Sequence, residues 1–171
     1  MKKFFLAFFC AVLFMTCTVY AADLTWLGDP EYRNQSILLE EGITSSKDVF
    51  YSPVRGEYLS FGTTEIVNQR DGSIYVCVDT YAHINVDLIR HAVFLDQWDD
   101  KRGDWVQVGS WEFEKTKEEE NGELSELVNS LTITGYPANK YYRVRGLHMV
   151  EIGDEIEGCA TETHGVLITK D

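Results

Sequence analysis

From Gly56 onward, short apolar and β-branched runs alternate with turn formers at fairly even intervals, the pattern of a β-sandwich or barrel. The runs are Tyr58–Val67, Ile74–Ala82, Ile89–Trp98, Trp105–Phe113, Leu127–Thr134, Tyr141–Val150 and Gly165–Thr169, with Glu155–Cys159 as a short additional strand. Asp71-Gly72 reads as a two-residue hairpin turn because both residues tolerate positive φ, and Gly153-Asp154 closes another hairpin after Val150. Between Glu112 and Glu126 the segment Lys115-Thr116-Lys117-Glu118-Glu119-Glu120-Asn121-Gly122-Glu123 is crowded with like charges and reads as a solvated crossover loop. Seven or eight strands with one long crossover fit an all-β, two-sheet sandwich of immunoglobulin-like or fibronectin-like type over residues 56–171.

Upstream the pattern changes. Residues 22–55 mix acids, turn formers and single apolar residues without a sustained period, as expected of a loosely structured N-terminal arm or a strand laid on the body. Residues 1–21 read as an export signal: Lys2 and Lys3, an apolar run from Phe4 to Met15 too short to span a bilayer, then Val19-Tyr20-Ala21. Val19 and Ala21 place cleavage after Ala21, and neither Cys10 nor Cys17 follows the small residue of a lipoprotein box. The processed chain is expected to be secreted, with no membrane insertion after signal cleavage.

Charge narrows the partners. The chain carries 28 acidic against 15 basic residues, a net charge of -13, and the signal removes two lysines and no acid. Such a surface repels phosphate backbones and anionic lipids, so no nucleic acid is expected as a partner. Two cysteines remain after processing, Cys77 and Cys159. Export favours a disulfide between them, worth up to about 4 kcal/mol for so long a loop. The competing reading is two buried thiols, since a lone pair has no spacing signature.

The block Lys140-Tyr141-Tyr142-Arg143-Val144-Arg145-Gly146-Leu147-His148-Met149-Val150, with Gly153, Glu157 and Gly165-Val166-Leu167-Ile168 after it, resembles a family of small secreted Gram-positive proteins known only as a domain of unknown function. The resemblance extends to Leu39-Glu40-Glu41-Gly42-Ile43-Thr44-Ser45-Ser46, Gly56-Glu57-Tyr58-Leu59-Ser60 and Val108-Gly109-Ser110-Trp111, and departs in the acidic crossover, where such proteins look richer in Ser and Asn. It implies export and a β fold, and no activity. The Tyr-Tyr-Arg-Val-Arg block also looks like the fibronectin-type strand that follows a turn and carries a buried tyrosine. Alternation puts Tyr142, Val144, Gly146, His148 and Val150 on the core face and leaves Arg143 and Arg145 as sheet-surface cations.

Catalytic signatures are thin. The chain has no Gly-x-Ser-x-Gly elbow, His-Glu-x-x-His helix, phosphate-binding glycine loop or Cys-x-x-Cys. His83, His91, His148 and His164 show no ligand spacing, and Asp96, Asp99, Asp100 and Asp104 lack the register of a calcium loop, with Lys101 and Arg102 opposing a cation. Arg102-Gly103-Asp104 spells the tripeptide of integrin ligands, yet Gly-Asp is ordinary turn chemistry. No cofactor, metal or catalytic residue is assigned. The expectation is a secreted, non-catalytic binding or envelope-associated module for an extracellular glycan or protein, and the alternative is a small secreted hydrolase using a carboxylate pair.

The candidate binding residues come from the hairpin of Ile89–Phe113. Pairing Trp98 with Trp105 sets Asp96 opposite Gln107, Phe94 opposite Gly109 and Ala92 opposite Trp111. One face then holds Ile89, Val93, Leu95, Val106 and Val108, and the other collects Phe94, Trp98, Trp105, Trp111 and Phe113. That is more aromatic surface than a solvated face normally shows, so either the arm or the crossover covers it or it is a platform. Trp98, Trp105 and Arg102, nearest the open tip, are the platform candidates.

Overall fold

The segment Ile74–Ala82 buries Ile74, Val76, Val78 and Thr80 and turns Tyr75, Cys77, Asp79 and Tyr81 the other way, the two-residue period of a sheet with one face on a core. In the computed structural model, which describes residues 36–52 and 58–171, nine strands repeat this device. They are β1 (Ser45–Tyr51), β2 (Leu59–Asn68), β3 (Ile74–Ala82), β4 (Leu88–Asp99), β5 (Asp104–Thr116), β6 (Glu126–Ile133), β7 (Lys140–Ile152), β8 (Glu155–Glu162) and β9 (Val166–Ile168). One antiparallel sheet has the order β1-β2-β3-β6 and the other β5-β4-β7-β8, with β9 added beside β7. The all-β, two-sheet architecture is the expected one. The ninth strand is β1, which lies inside the stretch read as an arm; its sequence, Ser45-Ser46-Lys47-Asp48-Val49-Phe50-Tyr51, has too few apolar residues to signal a strand until β2 pairs with it. The signal with its cleavage point, and residues 22–35 of the arm, lie outside the described residues.

The turns mostly obey the expected chemistry. Gly153-Asp154 closes the β7–β8 hairpin between paired Ile152 and Glu155, with Gly153 at φ 58°. The β2–β3 connection is longer than two residues: Asn68 pairs with Ile74, and Arg70 and Gly72, not Asp71, adopt positive φ. Asp71 instead accepts hydrogen bonds from the Ser73 amide (2.8 Å) and hydroxyl (2.6 Å), a side-chain turn that frees it from left-handed backbone.

Between the sheets the apolar core is split in two. Ile66, Val76, Val78, Val93, Leu95, Val144 and Ile168 form the larger cluster, and Leu59, Val86, Ile89, Leu124, Leu127, Val150 and Cys159 the smaller. Six strands cross from one to the other through a residue that is not apolar: Gly62 and Thr64 on β2, Thr80 on β3, His91 on β4, Asn129 on β6, His148 on β7 and Thr161 on β8. His91 and His148 are direct cross-strand partners, both fully buried, with ring centroids 5.6 Å apart. His148 pairs through Nδ1 with Thr80 Oγ1 and through Nε2 with Thr161 Oγ1, each at 2.9 Å, and Thr161 meets Thr64 at 2.6 Å. Two mid-strand glycines make this belt possible. A Cβ on Gly62 would lie 2.6 Å from the His148 ring, and one on Gly146 2.3 Å from Thr64 Oγ1.

The expected disulfide is not formed. Cys77 and Cys159 are present as thiols, and strand alternation explains why. Cys77 sits on the outward side of β3, donating to Asp79 Oδ1 at 3.3 Å, whereas Cys159 points from β8 into the smaller core cluster of the opposite layer. A bridge between the two sheets needs both side chains to point into the space between them, and the outward turn of Cys77 removes one of the two. Burial, followed by the Asp79 carboxylate, pushes the Cys77 thiol up to about 11, so it is a poor nucleophile at neutral pH. Alkylation of the denatured, unreduced protein lacking residues 1–21 should therefore add two labels per chain by intact mass; such a chain that takes a label only after reduction contradicts this arrangement.

Candidate functional site

The β4–β5 hairpin, which carries the proposed aromatic residues, starts from the expected register. Trp98 pairs with Trp105 and Asp96 with Gln107. Between Leu95 and Asp96 the register then shifts, with Leu95 opposite Gly109, Val93 opposite Trp111 and His91 opposite Phe113. One extra residue on β5, a β-bulge at Val108, reverses every side chain beyond it. Trp111 and Phe113 consequently face inward and pack on the larger core cluster, correcting the expectation that they stand on the outer face. The outer aromatic set shrinks to Phe94, Trp98 and Trp105.

A second correction concerns β7. Arg143 and Arg145 stand on the outward face of the five-stranded sheet and pair with acids as expected, but in a largely buried network and not at a solvated surface. Asp96, 3% exposed at its side chain, accepts from Arg143 Nε (3.0 Å) and from Arg145 Nε and Nη2 (2.7 and 3.0 Å). Arg143 Nη1 also meets Glu162 at 3.1 Å, so two guanidiniums balance two carboxylates. The rings complete the ladder: Arg143 lies over Trp105 at 4.8 Å and Arg145 over Phe94 at 5.0 Å. Beside them Ala92, Phe94 and Leu147 form a small buried cluster with Ala160. Trp105 is thereby held in place, its ring so close to Gly165 that a Cβ there would sit 2.6 Å away.

Trp98 has a different setting. It meets Trp105 edge to face at 5.3 Å and forms part of the wall of a concavity of about 370 Å³ at the hairpin's open end. Val106 and Val108 add apolar surface, and Gln97, Asp99, Asp100, Lys101 and Lys140 add polar groups. Lys140 reaches from the start of β7 to Asp100 (2.7 Å), and Gln97 accepts from the Tyr142 hydroxyl (3.1 Å). The single proton of that buried hydroxyl is shared with the nearer Pro137 carbonyl five residues upstream (2.8 Å), the geometry of a tyrosine corner, which ties the β6–β7 loop to the strand. Asp99 is committed to the turn: it accepts from the Lys101 and Arg102 amides, which hold its carboxyl below the usual range. Arg102 is mostly exposed, meets only Asp99 at 3.5 Å and does not line the concavity.

Of the three candidate residues, then, Trp98 lines the concavity, Trp105 supports it from the buried ladder, and Arg102 stays outside. The four tip aspartates do not converge: Asp96 turns to the β7 arginines, Asp99 closes the turn, Asp100 binds Lys140 and Asp104 accepts from the Trp105 amide. Sequence reading missed Gln97 and Lys140, and weighed Asp100 only as part of a calcium loop. No local signal joins Lys140 to a hairpin 40 residues earlier, because β7 becomes the neighbour of β4 only in the folded sheet. The model of a family of unknown function (DUF6147) matches residues 37–166 of the chain. No curated protein and no solved structure matches it.

Proposed function

Since the chain belongs to DUF6147, a family of unknown function that passes on no activity, we propose from its own geometry that it is a secreted, non-catalytic binding module that takes a glycan at the tip of the β4–β5 hairpin. The observation that carries this reading is the concavity walled by Trp98. Its size lies in the range of small-ligand sites, and it combines an indole with a few polar groups, as recognition of a ring with many hydroxyls requires. The mixture of two ammonium and two carboxylate groups suits a neutral polyhydroxylated ligand better than a strongly charged one. Binding is favoured over hydrolysis because Asp99 and Asp100, the carboxylates at this site, are spent on the turn and on Lys140. Export rests on the signal in residues 1–21.

Trp98→Ala and Trp105→Ala separate the roles. In a glycan panel followed by titration of intrinsic fluorescence, Trp98→Ala should weaken any retained glycan about tenfold or more, while leaving stability within about 1 kcal/mol. Trp105→Ala should instead cost roughly 2 kcal/mol or more in urea unfolding, because it removes a half-buried indole and the stack beneath Arg143. A panel in which Trp98→Ala binds every glycan as the parent does would overturn the assignment.

A further inference from the structure

The outer face of the four-stranded sheet lies in the layer opposite the concavity and carries an independent feature. A two-sheet sandwich leaves this face to solvent, and alternation normally makes it polar. Here the cross-strand register sets Tyr51, Phe61 and Tyr81 side by side across β1, β2 and β3 and ends the row on Glu126 of β6. Phe61 and Tyr81 stack at 4.4 Å, and Tyr51 lies 6.0 Å from Phe61 with 72% of its surface exposed. One step along the strands the next row places Asp79 beside Val128, itself 52% exposed. Exposed apolar surface of this kind, rimmed by polar groups, marks an interaction site.

The charge of the face selects the partner. Asp79 takes its hydrogen bonds from the Thr63 hydroxyl (3.1 Å) and the Cys77 thiol (3.3 Å), and among the described residues neither it nor Glu126 forms an ion pair. Lys115, whose field reaches Glu126, is held by Glu120. Burial and then the Asp79 and Glu126 carboxylates raise the Tyr81 hydroxyl, as expected for a phenol inside a negative field. The same face carries Lys47, two rows away opposite Glu65, so the aromatic end is the unneutralised end. We propose that this face docks a cationic peptide segment of another protein, its guanidinium or ammonium groups lying over Tyr51, Phe61 and Tyr81 and ending on Asp79 and Glu126. Ring faces and carboxylates together recognise such a cation more strongly than either alone.

Because a chain of net charge -13 attracts any polycation weakly, the test must be local. Fluorescein-labelled hexaarginine is titrated into the protein at low and physiological salt, with hexaglutamate as the control. Hexaarginine should bind, hexaglutamate should not, and Tyr51→Ala combined with Asp79→Asn should weaken hexaarginine about tenfold. Tyr51 is exposed, so its loss does not threaten the fold, and unchanged thermal unfolding of the double variant verifies this. Glu118→Gln with Glu123→Gln in the exposed crossover removes more charge and should change affinity less than twofold, as should Trp98→Ala, which keeps this result separate from the fate of the glycan reading. Equal weakening by the crossover pair, or no effect of the Tyr51/Asp79 pair, would overturn the docking surface.

Discussion

Stability is expected to fall steeply as the pH drops from about 6.5 towards 4, a window whose upper part lies above the titration of ordinary carboxylates. The cause is the pair of imidazoles in the middle of the core. Burial pushes His91 down from 6.5 to about 4, with Asn129 opposing the shift, and holds His148 well below its ordinary value, reinforced by the neighbouring His91 ring. Unfolded, both rings take up protons near pH 6.5; folded, they refuse them. The native state therefore keeps its full stability above 6.5 and loses it progressively as the pH falls to the folded value, below which the His91 contribution levels off. For His91 alone the loss is about 3 kcal/mol, at 1.36 kcal/mol per unit, and His148 adds to it in the same direction. That is a large fraction of a typical domain's stability. Urea midpoints at pH 7 and 4.5 measure the effect. Whatever their stability at pH 7, His91→Gln and His148→Gln should each flatten the dependence on pH, and an unmodified protein equally stable at both values would contradict the neutral pair.

The same belt shows what was legible in the sequence. His91 and His148 read readily as core or sheet histidines because each falls inside a β run, yet their pairing across the β4–β7 ladder depends on a register that no local pattern fixes. Gly62 and Gly146 do leave a trace: a glycine inside an otherwise continuous strand implies close approach, and both prove to make room for the belt. The strands from β2 to β9 were legible from period and turns. Strand β1 was legible only as one of two readings, an arm or a strand laid on the body, since its stability comes from pairing with β2 rather than from its own apolar content.

At the hairpin the limit was sharper. The pairing of Trp98 with Trp105 from which the register was counted is the observed one, and the count held as far as Asp96 and Gln107. A single bulge then moved Trp111 and Phe113 to the core, a change of one residue that turns a five-ring platform into a three-ring one. The outer aromatic row on the other sheet was hidden for the converse reason. Phe61 and Tyr81 were on recognised strands, but the row exists only once β1 brings in Tyr51 and the three registers align. Side-chain alternation is a property of one strand, whereas a surface belongs to several.

Asp96→Ala should be among the most damaging single substitutions on the five-stranded sheet. Sequence reading grouped Asp96 with the solvated acids of the hairpin tip, but the folded β4–β7 ladder sets it directly opposite Arg143 and within reach of Arg145. Its two oxygens accept three guanidinium hydrogen bonds at a site where the side chain is 3% exposed. Removing the carboxylate strands two largely desolvated guanidiniums, of which Arg143 keeps the Glu162 carboxylate and Arg145 keeps the side-chain oxygen of Gln107, and the expected cost is about 3–5 kcal/mol. The penalty comes from stranding charge, not from the intrinsic worth of the ion pairs, so it should be partly relieved when a cation is removed as well. A double-mutant cycle with Arg145→Met tests this: Asp96→Ala/Arg145→Met should be more stable than the sum of the single losses predicts, by about 1.5 kcal/mol or more. Urea unfolding of the four proteins provides the measurement. Additive losses, or an Asp96→Ala variant within about 1 kcal/mol of the parent, would mean that the arginines find water or other partners and that the ladder under Trp105 is not held by Asp96.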